Sequence, residues 1–176
     1  MRNKWSEQIF AFWQCRIPLI ATLLLVLLFF MPINSVQLNY FRPSMGIICV
    51  YYWRLNRPAL FGWFSAFCVG FVIDVYSSTP LGTNILLLLA LESVTDWPAH
   101  YLRTSSFSVR WLIFGLVSLS VLLGKWLFLT LYYWRLLPPA EIMLGYFSTV
   151  MFYPLIATIN VQIAQRFLPP ENIDEQ

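Results

Sequence analysis

Six stretches of the chain consist mainly of apolar side chains, and short segments rich in polar residues or proline separate them. They run from Ile17 to Ile33, Pro43 to Trp53, Ala59 to Val75, Leu81 to Val94, Val109 to Tyr133, and Ala140 to Ile163. A helix rises about 1.5 Å per residue and needs roughly 20 residues to cross the bilayer core. The second and fourth stretches are short, but the whole pattern predicts an all-α integral membrane protein with six transmembrane helices.

The second stretch is ambiguous, because a helix from Arg42 to Arg54 is only about 18 Å long. It could cross with snorkelling arginines, or enter and leave the membrane on one side. Basic residues collect on the cytoplasmic side of short loops, and this rule favours six crossings with both termini in the cytoplasm. The cytoplasmic side then holds Arg2, Lys4, Arg16, Arg54, Arg57, Arg103, Arg110 and Arg166, and the outer side holds Arg42 and Arg135.

This topology divides the chain into three parts. Residues 1–16 are expected to form a cytoplasmic leader, residues 17–168 the six-helix transmembrane domain, and residues 169–176 a short cytoplasmic tail. The first apolar stretch lacks a small-x-small cleavage site, so we expect a retained anchor and not a cleaved signal peptide.

Composition supports the membrane assignment. Of the 176 residues, 59% are hydrophobic and 11% are charged, which is more apolar surface than a soluble domain of this size could bury. The formal net charge is +3, and the basic residues are scattered singly along the chain. Nucleic acid is therefore not expected as a partner, whereas membrane lipid is.

The third apolar stretch carries small residues at helical spacing. Gly62, Ala66 and Gly70 recur every four residues and so share one helix face, on which Asp74 is the next residue. Small side chains let another helix approach closely, and an acid on such a face points into the bundle. Two interpretations of Asp74 stay open: it caps the following loop, or it is a functional intramembrane acid.

Two further charges fall inside apolar stretches. Lys125 lies about 15 Å below Arg135, and Glu92 lies about 16 Å from Leu81, so the two appear at matching depths on neighbouring antiparallel helices. We expect a buried Glu92–Lys125 ion pair, with Asp74 as the second choice of partner for Lys125.

The sequence offers little for catalysis. His100 is the only histidine, and no nucleophile motif, phosphate loop or metal-binding spacing accompanies it. We expect no enzyme activity, no catalytic residue, no metal and no cofactor. Arg42 is an outward cation directly before Pro43, which can begin a helix, and it could anchor the helix at the interface or contact a partner protein or an anionic lipid.

Several of these positions together resemble a known family, the rod-shape-determining protein MreD of bacteria. The match covers about residues 41–89 by motif and the rest by length and hydropathy. Its elements are Phe41-Arg42-Pro43, Tyr52-Trp53, Pro58, Gly62, Gly70-Phe71, Asp74 and Leu81-Gly82.

The resemblance implies a multi-pass protein of the bacterial inner membrane, similar in fold to the substrate-binding component of energy-coupling-factor transporters. It implies a non-enzymatic scaffold of the cell-wall elongation machinery that supports peptidoglycan synthesis along the lateral wall. The implied partners are MreC and, indirectly, MreB and the glycosyltransferase RodA with its transpeptidase. The alternative is a vitamin-type transporter component whose polar pocket would come from Asn84, Glu92, Lys125 and Asn160.

Overall fold

The computed structural model describes residues 16–30, 42–77, 79–103, 105–136 and 138–168, without the side chains of residues 96–101. The expectations for the leader before Arg16, for the tail after Leu168 and for the His100 side chain fall outside these residues.

The described residues form six α-helices and no strand, which confirms the all-α class. Each predicted apolar stretch corresponds to one helix. The helices are α1 (Ile17–Phe30), α2 (Met45–Asn56), α3 (Trp63–Tyr76), α4 (Thr83–Arg103), α5 (Phe107–Tyr133) and α6 (Pro139–Phe167).

Some predicted boundaries differ from the observed ones. Helix α4 has 21 residues and continues well past Val94, so the fourth stretch is not short as a helix. Helix α3 begins at Trp63 and not at Ala59, because the Leu60 N–H donates to the Arg57 carbonyl in a turn. Pro43 does not begin α2, since Ser44 occupies the N-cap position of that helix and donates its backbone N–H to Thr149 Oγ1 on α6, at 2.9 Å.

Helices α5 and α6 are each long and apolar enough to cross a membrane. Only 28% of the apolar window of each helix is buried, so most of their apolar side chains lie on the surface. The apolar helices α1 and α3 are shorter, with 14 residues each. Two membrane-length helices with exposed apolar faces are consistent with membrane association.

Helix α2 forms the centre of the bundle. All residues from Met45 to Trp53 are buried, and α2 packs against α1, α3, α4 and α6. A helix that is apolar on every side belongs in such a position. Its short length is compatible with this place because neighbouring helices, and not lipid, cover its surface.

Pro154 lies inside α6, where proline removes one helical hydrogen bond. The freed acceptor is the carbonyl of Val150, four residues earlier. The indole Nε1–H of Trp111 on α5 donates to this oxygen at 3.0 Å. The proline therefore creates a hydrogen bond between the two long helices.

The bundle has two polar ends. At the first, called the arginine end, Arg103 Nε donates to the Leu55 carbonyl, and Arg54, Arg57 and Arg110 lie nearby. At the other, called the cavity end, Arg42, Asn84 and Lys125 line a common cavity. Four of the eight basic residues that the sequence assigned to one side, namely Arg54, Arg57, Arg103 and Arg110, thus lie at one end, and Arg42 lies at the other.

Candidate functional site

The predicted close contact on α3 is present at Gly70. A Cβ on Gly70 would lie 2.6 Å from the Cα and 2.9 Å from the backbone N of Ile85, at the beginning of α4. No real Cβ atom tolerates such distances to backbone. Ala66 on the same face is fully buried. The small residues therefore let the α3 and α4 backbones approach each other, as the spacing predicted.

Gly62 does not belong to this contact, so its assignment to the packing face is corrected. It is the N-cap of α3, and a Cβ placed on it would meet nothing within 4 Å. The four-residue repeat continues backwards past Trp63 in the sequence, but the helix does not. The close-contact face consists of Ala66 and Gly70 and leads to Asp74.

Asp74 is buried and caps the N-terminus of α4. Its Oδ2 accepts the backbone N–H of Gly82 at 2.8 Å and that of Ile85 at 3.3 Å, and its Oδ1 accepts the N–H of Asn84 at 3.0 Å. These are donors that a helix start leaves without an intrahelical partner. A carboxylate at this place also opposes the positive end of the helix dipole. The geometry therefore matches the capping interpretation.

The turn between α3 and α4 is shaped to reach this carboxylate. Gly82 has φ +100, a left-handed conformation that glycine adopts without strain. Ser77 and Thr79 hydroxyls lie 2.7 Å apart, and the Asn84 amide Nδ2 is within 3.4 Å of both. The turn is thus held by side chains as well as by Asp74.

Asn84 connects Asp74 to Lys125. Its Nδ2 donates to Asp74 Oδ1 at 2.8 Å, and its Oδ1 accepts from Lys125 Nζ at 3.0 Å. One amide therefore joins an acid on α3 to a cation on α5, and the Asp74 charge also attracts Lys125 through space. The second-choice partnership of Lys125 with Asp74 is present in this indirect form. Asn84 lies directly before the apolar run of α4, a position where a helix-start signal could have identified it.

The expected Glu92–Lys125 pair is wrong. Glu92 is fully buried and forms an ion pair with Arg54 on α2, with Nη1 and Oε1 3.6 Å apart, whereas Lys125 bonds to Asn84. Arg54 also lies near the carbonyls of Pro58 and Phe61, which accept from Nη1 at 3.4 and 3.5 Å. The Arg54–Glu92 pair therefore links α2 to α4 at the arginine end.

The Glu92–Lys125 prediction failed because it assumed that two helix ends lie at the same height in the bundle. The depth of Glu92 was counted from Leu81 and that of Lys125 from Arg135, as if Leu81 and Arg135 were at one height. Lys125 actually lies beside Asn84, near the beginning of α4, and α5 continues to Tyr133, about 12 Å farther. Glu92 is eight residues after Asn84, or about 12 Å deeper in the bundle. The two charges are thus separated along the bundle axis.

The cavity at the cavity end has a volume of about 220 Å³ and lies between α1, α2, α4 and α5. Its polar lining residues include Arg42, Ser44, Ser77, Asn84 and Lys125. The rest of the wall is mainly apolar and includes Val26, Phe29, Phe30, Leu87, Leu88, Val121 and Leu122. Two cations in an apolar wall could bind an anion.

The polar pocket proposed for a transporter component is not assembled. Asn84 and Lys125 are together, but Glu92 pairs with Arg54, and Asn160 Nδ2 points to Cys49 Sγ at 3.8 Å. Among the described residues, no group of three His, Cys, Asp or Glu side chains could hold a metal ion.

Asp74→Asn is expected to destabilise the bundle even though it preserves size. Both carboxylate oxygens accept hydrogen bonds, and an amide would turn one acceptor into an NH₂ group that faces backbone N–H donors. We expect a loss of about 2–3 kcal/mol in the free energy of unfolding, measured by SDS titration in mixed micelles. Glu141→Gln, at an exposed acid in the first turn of α6, is the control and should change little. Equal stability of the two variants would contradict the capping role.

Comparisons with known proteins give one similarity and no family. No known family profile matches the chain, and no solved structure matches it. An uncharacterized protein of Rickettsia prowazekii (strain Madrid E) is 27% identical over 107 residues, in an alignment that covers 57% of this chain. The chain spans 58% of the length of that relative. The similarity carries no stated activity, so the function is inferred from the site.

Proposed function

We propose that all six helices cross a bacterial inner membrane, with the arginine end in the cytoplasm and the cavity end outside. Both termini are then cytoplasmic. The gathering of Arg54, Arg57, Arg103 and Arg110 at one end supports this orientation under the positive-inside rule. Large apolar side chains exposed on the shorter helices also support it, and they include Leu24, Leu28, Phe64, Phe67, Phe71 and Leu86.

In this membrane the chain acts as a non-enzymatic scaffold of the cell-wall elongation machinery, related in role to MreD. The observation that carries this proposal is that several of the resembling motif residues lie together at the cavity end. Gly70, Asp74 and Gly82 meet in one contact between α3 and α4, and Arg42-Pro43 lines the same cavity as Asn84, which bonds to Asp74. These motif residues, which are spread along the sequence, thus lie together at the end that is proposed to face outward.

This feature displays an apolar residue outward. Leu81 is 74% exposed, and it lies in the turn that Asp74 holds through the N–H of Gly82. A fixed apolar side chain at a loop tip loses little conformational freedom on binding and so suits a protein contact. The partner proposed for this contact is MreC, through which the chain would associate indirectly with MreB and with RodA and its transpeptidase.

The rival function, a vitamin-type transporter component, fits the structure less well. Its four proposed polar ligands lie in separate places. The cavity of about 220 Å³ is also smaller than the roughly 300–1,000 Å³ of pockets that enclose drug-sized ligands.

The test is affinity capture of the full chain from membranes in mild detergent, followed by mass spectrometry. We expect MreC and RodA among the specifically captured proteins. Leu81→Asp should reduce recovery of MreC, while Leu136→Asp should not, because Leu136 is an equally exposed leucine in another turn. Capture of an ATPase transport module in place of wall-elongation proteins would overturn the proposal in favour of the transporter.

A further inference from the structure

The cavity end contains a positive charge that the described residues do not balance. Arg42 makes no hydrogen bond or ion pair with any described residue, and its Nε is buried. Lys125 is balanced by Asp74 through Asn84. No acidic side chain of the described ranges is among the residues that line the cavity; Glu92 pairs with Arg54, and Glu141 is exposed on α6. The sum of Arg42, Lys125 and Asp74 is one positive charge.

A partly buried cation beside an apolar wall is costly unless an anion or water compensates it. Asn84 accepts from Lys125 with its carbonyl oxygen, so the charged donors that face the cavity are the remaining ammonium protons and the Arg42 guanidinium. Both donors prefer oxyanions, and arginine can bind two oxygens of one phosphate. A ligand with one negative charge would neutralise the single excess positive charge of this cluster.

The size and lining of the cavity restrict this ligand further. A volume of about 220 Å³ corresponds to about seven waters and suits a headgroup-sized moiety. Val26, Phe29 and Phe30 of α1 and Val121 and Leu122 of α5 contribute apolar wall to it. Helix α5 packs chiefly on α4 and α6, and α1 packs on α2 and α3, so the two walls belong to helices with different packing partners. An acyl chain could leave between them along apolar surface.

We propose that this cavity binds the phosphodiester headgroup of a singly charged anionic phospholipid, with Arg42 and Lys125 as donors to the phosphate. The hydrocarbon chains extend between α1 and α5 into the bilayer. The shared chemistry is that of a phosphate oxyanion, and the apolar walls favour a lipid over a free ion. This proposal requires the membrane location but not the role in wall elongation.

The test uses the full chain purified in mild detergent and titrated with three separate probes. The probes are phosphatidylglycerol as the singly charged lipid, phosphatidylcholine as the lipid without net charge, and inorganic phosphate as the free anion. Binding is read by native mass spectrometry and by the shift in thermal unfolding. We expect one retained phosphatidylglycerol and a higher unfolding temperature, with weaker effects from the other two probes.

The variants locate the site. Arg42→Gln should weaken phosphatidylglycerol binding about tenfold, since it removes one charge-assisted donor, and it should fold normally because Arg42 has no partner among the described residues. Arg135→Gln removes an exposed cation from another outward turn and is the matched control. Equal binding of both lipids, equal stabilisation by inorganic phosphate, or an equal loss in Arg135→Gln would each overturn the proposal. If the lipid proposal fails in this test, the affinity capture of wall-elongation proteins still tests the proposed function independently.

Discussion

Gly70→Ala is expected to separate α3 from α4 and to remove most of the folded protein from the membrane. The new methyl group would lie 2.6 Å from the Cα of Ile85, and backbone cannot move aside as the end of a flexible side chain can. The added carbon should cost about 3 kcal/mol, more than the roughly 1 kcal/mol that alanine gains over glycine in helix propensity. Membrane abundance and thermal stability in detergent measure the effect.

Gly145→Ala is the matched control, because it makes the same change inside α6 where a Cβ would meet nothing within 4 Å. This variant should be as stable as the original chain or slightly more stable. If Gly70→Ala accumulates and melts as Gly145→Ala does, the two backbones are not in close contact.

Breaking the Arg54–Glu92 pair is expected to have the second large effect, and the two halves should differ. Arg54→Gln removes the cation beside a fully buried carboxylate, so we expect a loss of about 3–5 kcal/mol. Glu92→Gln should cost less, since Arg54 keeps acceptors at the carbonyls of Pro58 and Phe61. The double variant should lose less than the sum of the two single variants. SDS titration of the purified proteins provides the free energies.

A double-mutant cycle of Glu92 and Lys125 distinguishes the observed Arg54–Glu92 pair from the Glu92–Lys125 pair that the sequence predicted. Glu92→Gln and Lys125→Gln should add within about 0.5 kcal/mol, because the residues lie at different levels and bond to different partners. Strong coupling of Glu92 to Lys125, together with additivity of Glu92 and Arg54, would show that the ion pair is assigned to the wrong residues.

The sequence predicted those features of the fold that depend on a single helix. The apolar runs located all six helices, because each element buries or exposes its own apolar length. The four-residue spacing from Ala66 to Gly70 and Asp74 placed these residues on one face, and this face is the one that meets α4. Such features follow from helical periodicity alone.

Partners between helices could not be predicted in the same way. The partner of Glu92 depends on which helices are neighbours and on their relative heights, and neither is encoded in a single apolar run. Arg54 was assigned only a topological role, although it approaches Glu92 because α2 lies at the centre against α4. Likewise, Gly62 fits the spacing but lies outside α3, whose start depends on the preceding turn.

The proposed scaffold role requires that the cavity end face outward, and the turn between α3 and α4 tests this orientation directly. Leu81→Cys, at a residue that is 74% exposed, is placed in a chain whose Cys15, Cys49 and Cys68 are replaced by alanine. Intact cells are then treated with a membrane-impermeant maleimide. Two control positions keep their expected side whether all six helices cross the membrane or only α5 and α6 do. Leu136→Cys lies outside in both cases and serves as the labelled control, and Ser105→Cys lies inside and serves as the protected control.

The six-helix topology predicts that Leu81→Cys is labelled as readily as Leu136→Cys, while Ser105→Cys reacts only after the cells are opened. Labelling of Leu81→Cys only in opened cells would contradict it, since this turn would then lie in the cytoplasm together with the cavity.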